Sequence, residues 1–337
     1  MKTSRLFKQH KGTVIDKGKF EHIMALALDP TNHSRGVVRC IVKREGVAGI
    51  KGFLDKSVLY SAKSIDGLEE FKLDKLLEIK GQEKIIGRLK KSYQEFIGLE
   101  DPDIYWEENK RLYHIYFTIP LIGKGKSPSD IHLGHAQGKN LEALEMTKPV
   151  LSPWGVDTGG AKELSMAPIN KDGVRLNLVE SKDRIGKVGY STIAVGISED
   201  YGPPWKFGDV VFHPKRDGYK WCEGHASPGP LLPRSFIDMG ENKRVGILNA
   251  RSATQFLKGK TLYGPFRIGL MVYDFEKGKI EWVSKEPLIE DSKAENITFA
   301  SQFVQTGKKE GILYAHVDDS FVRAYTLYSD GIRQLID

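Results

Sequence analysis

At 337 residues the chain is long enough for one large domain or two ordinary ones, and 40% hydrophobic content is sufficient for a packed core. The net charge of +7 is spread along the chain without the basic–aromatic interleaving of RNA-binding segments, so nucleic acid is not an expected partner. No run is apolar enough to span a bilayer, and the N-terminus carries charge without an apolar segment, so a soluble cytoplasmic protein with no membrane association is expected.

Cys40 and Cys222 stand alone in apolar or aromatic surroundings. Two such residues make no disulfide framework and show no metal spacing, and neither a metal nor a cofactor is expected.

In chain order, glycines and prolines punctuate short apolar runs, and the periodicity is strand-like almost throughout. This predicts an all-β protein. Helical patterning is confined to 73–89 and 141–146. The lysine-rich stretch 72–91 is mixed with glutamate and leucine, and reads as a solvated helix or long turn. The stretch 98–119 predicts a hairpin: Glu100-Asp101-Pro102 leads one strand, residues 107–110 turn, and 112–119 form a buried return rich in aromatic and β-branched residues.

One unit recurs five times, as an aliphatic strand, a polar turn and an aromatic or leucine-rich return. Copies begin at Val58, Ile131, Thr192, Arg267 and Val322. Strands do not alternate with helices, which argues against a two-domain α/β protein. Repeated small sheets that cannot bury both faces alone predict a five-bladed β-propeller. The expected single domain covers 1–337, with blades at roughly 15–75, 98–150, 160–215, 222–290 and 294–337.

In a propeller the innermost strands surround the axis, and polar residues at their heads converge there. The candidates are Glu21-His22 and Arg44 in blade 1, Glu100 and Asp101 in blade 2, and Lys162, Glu163 and Glu180 in blade 3. His225 follows in blade 4, and Glu295 and the run His316-Val317-Asp318-Asp319 in blade 5. Any one of these acids alone reads as an ordinary strand-end residue. Five at equivalent places in a repeat suggest a shared site. Crowded carboxylates push one pKa up and leave another ionised, as an acid and a base require. Glycoside cleavage uses such a pair, about 5–5.5 Å or 6.5–9.5 Å apart according to stereochemistry.

Three other patterns carry less. Gly125-Lys126-Ser127 resembles the end of a phosphate-binding loop, but its first glycine would fall on Pro120. The glycines of 46–52 have the wrong spacing for a dinucleotide fold. His132 and His135 share a strand at a spacing that points them to opposite faces, which argues against a joint metal.

Glu100-Asp101-Pro102, Lys162, Gly229-Pro230, Glu295-Asn296-Ile297-Thr298-Phe299 and Tyr314-Ala315-His316-Val317-Asp318 resemble, in order and spacing, motifs of glycoside hydrolase family 130. That family comprises five-bladed mannoside phosphorylases and related hydrolases. The resemblance implies an exo-acting site for β-mannosides on the propeller axis. It implies that Asp101 is the general acid, acting through a sugar hydroxyl, and that Asp318 holds the innermost sugar. Two departures bear on the reaction. Asp103 stands where the family pattern has arginine, and Glu180 where phosphorylases carry arginine in blade 3. An acid there repels phosphate and can deprotonate water. Hydrolysis is therefore expected, with Asp101 as acid, Glu180 or Glu163 as base, and Arg44, Glu100, Lys162, His225, Glu295 and Asp318 binding substrate. The expected partner is an oligosaccharide or other glycoside. Three alternatives stay open: phosphorolysis with inorganic phosphate, a binding propeller without turnover, and an arabinan- or xylan-type glycosidase. Self-association into a homo-oligomer also stays open.

Overall fold

The computed structural model describes residues 5–47, 50, 52–123, 129–153, 160–186, 188–257 and 260–337. Gly125-Lys126-Ser127 lie outside the described residues, as do Ala48, Gly49 and Lys51 of the second glycine-rich stretch.

Five antiparallel meanders follow one another along the chain, as a five-bladed propeller requires. Their innermost strands are His22–Leu28, Glu100–Glu107, Lys162–Ser165, His225–Leu231 and Thr298–Gln305. The second strands are Arg35–Glu45, Leu112–Gly123, Arg175–Ile185, Lys243–Arg251 and Glu310–Val317. Second strands lie between neighbours in their own sheet and are covered on both faces by adjacent blades. They therefore read as near-continuous apolar runs, such as Ile115, Tyr116, Phe117, Ile119 and Leu121, all buried. Outer strands alternate, as in Glu70–Leu76, where Phe71 is buried between exposed Glu70 and Lys72.

The apolar cores lie between blades. One cluster joins blades 1 and 2 through Val37, Leu59, Ile115 and Phe117. Four more fill the other interfaces: Val179 and Tyr116 between blades 2 and 3, Leu178 and Tyr273 between 3 and 4, Leu270 and Leu313 between 4 and 5, and Leu26 and Tyr314 between 5 and 1. Stacking removes both faces of each sheet from water, the dominant favourable term in folding.

Four of the five repeated copies are the third and fourth strands of blades 1 to 4, and the fifth departs. After Phe321–Tyr328 the chain forms helix Ser329–Ile336 instead of a returning strand. The fourth strand of blade 5 is Phe7–Gln9, which pairs with Phe321–Tyr328. The N-terminal segment then pairs Ile15 and Asp16 with the outer edge of blade 1. One segment thus ties the last blade to the first and closes the ring. The helical expectation at 73–89 is also corrected. Only Gln82–Leu89 is helical, because residues up to Leu76 complete blade 1, and 141–146 supplies a turn and the short strand Leu144–Met146.

Every innermost strand slips register against its neighbour. The slips fall at Ala25, at Asp101-Pro102, at Glu163, at Gly229-Pro230 and at Ser301. A bulge of this kind turns a side chain that would otherwise follow the ladder. In the first three blades the bulged residue takes a left-handed conformation, with φ of 50°, 49° and 48° at Ala25, Asp101 and Glu163.

Candidate active site

Two cavities meet at the bulges. The outer one, about 450 Å³, is the mouth at the heads of the inner strands, and Arg39, Lys162, Glu180, His225 and Arg251 are among its lining. The inner one, about 210 Å³, runs along the axis between the innermost strands of all five blades. Asp101, Glu163, Phe299 and His316 line both cavities, so the two bulged carboxyls stand at the junction. Non-glycine residues rarely adopt φ near +50°, and such conformations cluster at active sites.

Arg39 organises one side of the junction. It donates to Asp101 Oδ1 at 2.9 Å, to Glu100 Oε1 at 2.6 Å and to Ser57 Oγ at 2.8 Å. One guanidinium cannot fully compensate two carboxylates. Burial, outweighing Arg39, raises Glu100 to about 7. Asp101 goes the other way. Burial would raise it too, but Arg39, Lys162 and His316 together hold it below the usual carboxylate range.

Glu163 hydrogen-bonds Asp101. Burial, and then the negative charge of Asp101, raise Glu163 well above its ordinary value. The two carboxyls therefore share one proton, carried on Glu163 and directed at ionised Asp101.

Glu180 faces the mouth from the second strand of blade 3. Lys162 Nζ stands 3.6 Å from Glu180 Oε1, and His225 Nε2 stands 3.1 Å from Oε2 but out of line for a hydrogen bond. Burial would raise Glu180, yet Lys162 and His225 bring it down to about 2. Burial lowers both His225 and His316, against the raising pull of Glu180 on the first and of Asp319 and Asp101 on the second. Among the described residues, Glu180 Oε2, His225 Nε2 and both ring nitrogens of His316 are buried without a hydrogen-bond partner. Groups so placed suit a ligand that both donates and accepts hydrogen bonds.

An aromatic chain forms one wall. His225 and Phe266 lie 4.9 Å apart, Phe266 and Phe299 5.6 Å, and Phe299 and His316 5.1 Å, each edge to face. The bulges of the remaining blades carry small residues. Gly229 has no room for a Cβ, which would lie 2.9 Å from Ile247 Cγ2, and its carbonyl accepts from the Ser165 hydroxyl. Ser301 Oγ donates to the Leu26 carbonyl at 3.0 Å. The carboxyls thus face open space.

The structure brings Glu100, Asp101, Lys162, Glu163, Glu180 and His225 together. It places the other three predicted residues elsewhere. Arg44 forms a two-pronged bond with Asp55, at 2.9 and 2.8 Å, and donates to the Asp319 carbonyl at 2.8 Å. Asp318 accepts three backbone N–H groups, from Glu295, Asn296 and Ile297, each at 2.8 Å. Glu295 is exposed, and only its backbone takes part. Asp318 therefore pins the turn before the innermost strand of blade 5, and its neighbour Asp319 lines the mouth instead.

Arg39 and the aromatic wall escaped sequence reasoning. An arginine inside the apolar run Val37-Val38-Arg39-Cys40-Ile41 was the available signal, because a charge there must be paired.

No protein-family model and no curated protein matches this chain. Several solved structures do. A β-1,2-mannobiose phosphorylase from Listeria innocua, in complex with β-1,2-mannobiose, is similar over 99% of this chain and 94% of its own, with a TM-score of 0.63 and 15% identity. A mannose phosphorylase from Leishmania mexicana, in complex with phosphate ion, is similar over 96% of this chain and 89% of its own, with a TM-score of 0.55 and 14% identity. An endo-arabinanase from Bacillus licheniformis is similar over 92% of this chain and 96% of its own, with a TM-score of 0.52 and 12% identity. At these identities the likeness is one of fold, and at that level it agrees with the resemblance drawn from the motifs.

Proposed function

We propose that the protein is a glycosidase that removes a terminal sugar, a β-mannoside in the first instance, by hydrolysis. The observation that carries this is the proton-sharing pair Asp101–Glu163 at the junction of two cavities, facing unpartnered polar atoms and an aromatic wall. Sugars have apolar C–H faces and hydroxyl edges, and a site for one needs both surfaces. The similar mannose-active propellers support mannose as the sugar to test first.

A terminal sugar in the inner cavity and its leaving group in the mouth would put the glycosidic oxygen at the pair. The shared proton passes to that oxygen as the bond to the anomeric carbon breaks, and the bonding electrons stay with the oxygen. Water attacks the anomeric carbon, and its proton goes to Glu180. Lys162 and His225 orient Glu180, and Arg39 keeps Asp101 ionised so that the proton rests on Glu163. This revises the expectation in which Asp101 alone is the acid: the proton belongs to the pair.

Phosphorolysis is the second reading, and one observation favours it. Lys182 and Arg251 line the mouth, and neither has a carboxylate ion-pair partner among the described residues. Against it, Glu180 occupies the blade 3 strand and engages Lys162.

Incubation with aryl β-mannosides and manno-oligosaccharides, with and without phosphate, separates these readings. Free mannose released without phosphate is the expected result. Mannose 1-phosphate formed only with phosphate would select phosphorolysis. No turnover of any glycoside would overturn the enzyme assignment.

A further inference from the structure

One carboxyl group plays no part in the chemistry above. Asp103 lies two residues beyond Asp101 on the same strand and lines the inner cavity. Its Oδ2 accepts the Tyr105 hydroxyl at 2.5 Å, and its Oδ1 accepts the Ile104 N–H at 3.0 Å. Burial raises it to about 7, against the pull of those two bonds.

Charge is divided sharply between the two cavities. Arg39, Lys162, Lys182 and Arg251 line the mouth. Among the described residues no lysine or arginine lines the inner cavity, where Asp101, Asp103 and Glu163 are found. The groups facing Asp103 are Tyr105 on its own strand, Tyr116 opposite it on the next strand, and Asp101, Glu163 and His316 around the cavity. His316 is 7% exposed; its Nδ1 stands 3.5 Å from Asp319 Oδ1, but neither ring nitrogen makes a hydrogen bond, so the cavity also presents a group able to bond an occupant.

We propose that the inner cavity is a subsite for an uncharged sugar, that Asp103 accepts one of its hydroxyls, and that the ionisation of Asp103 gates this binding while acidic terminal sugars are rejected. The proposal rests on the glycoside reading above. A hydroxyl donating to an ionised carboxylate makes a charge-assisted bond, stronger than one to the neutral acid. Bound sugar therefore favours the ionised form, and affinity rises as pH climbs through the Asp103 transition. A uronate placed there would be an anion among carboxyls with no cation to pair it, which is strongly unfavourable.

The test is calorimetric titration of the intact protein with mannose, glucose and galactose between pH 5.5 and 8.5, followed by the uronate of the best binder. Affinity should rise about tenfold for each unit by which the bound sugar lowers the Asp103 pKa, and the uronate should not bind. Asp103→Asn should flatten the profile. Tyr105→Phe removes a bond that holds the Asp103 pKa down, so its midpoint should move to higher pH. That shift would not follow from a purely structural role, and it does not depend on Asp103→Asn folding. A wild-type profile in both variants, or uronate binding equal to that of the neutral sugar, would overturn the proposal. Turnover of glycosides with an unchanged pH profile would sink this proposal alone. A protein that binds none of the sugars would sink it together with the glycosidase reading.

Discussion

The bulges of blades 2 and 3 and those of blades 1, 4 and 5 are the same backbone device put to different ends. Asp101 and Glu163 present carboxyls to the axis, whereas Ala25, Gly229 and Ser301 present almost nothing. Ala25 has the same left-handed φ as the two acids. The conformation therefore recurs at a bulge without a carboxyl and does not by itself mark the chemistry. What is particular to this site is asymmetry around the ring: two adjacent blades supply the proton pair, and the other three leave room for a substrate beside it.

Breaking the acidic half should have the largest effect. Asp101→Asn and Glu163→Gln should each lower kcat by about 10³-fold, within the range of general acid catalysis, with circular dichroism unchanged. If one proton is shared, the double variant should lose little more than either single one, because groups acting as a unit are not additive. Losses that multiply would show two independent roles.

The next effect concerns the cation that separates the two acids. Arg39→Met leaves Glu100 and Asp101 without their guanidinium and should lower stability by about 3–5 kcal/mol in urea unfolding. An unchanged midpoint would mean that the carboxyls find other partners.

Glu180 gives a pH signature. Its folded-state value of about 2 lies below the ordinary 4.5, so the unfolded chain binds the proton more readily. The stability it contributes, about 3 kcal/mol, is present above pH 4.5 and lost as pH falls from 4.5 towards 2. In Glu180→Gln that slope of stability against pH should flatten by the same amount.

The smallest effect tests the small-residue half. Ala25→Gly should relieve the left-handed backbone and raise stability by about 0.5 kcal/mol, the strain removed slightly exceeding the entropy lost by glycine. A loss of stability would show that the Ala25 methyl packs more tightly against Met24 and Ile41 than its conformation costs.

The heads of the inner strands were legible because polar residues interrupting an apolar repeat mark them, and Asp101, Lys162, Glu163 and His225 all lie there. Arg44, Glu295 and Asp318 carry the same signal and face other partners. A position in a repeat does not say which way a side chain turns, and Asp318 turns onto three backbone N–H groups that Glu180, with a similar signal, never meets. Arg39 was hidden for the opposite reason: it sits on a second strand, where repeat logic assigns only core.

From the sequence alone came the strand class and the number of blades, since these depend on periodicity and residue type along the chain. Only the tertiary structure decided how the ring closes, because the strand Phe7–Gln9 completes a sheet more than 300 residues away. It also decided which carboxyl holds the proton. Asp101 and Glu163 are alike as residues, at like bulges, and differ because Arg39 reaches one of them and not the other. Protonation follows from what surrounds a group in space, and a chain read in order does not contain that.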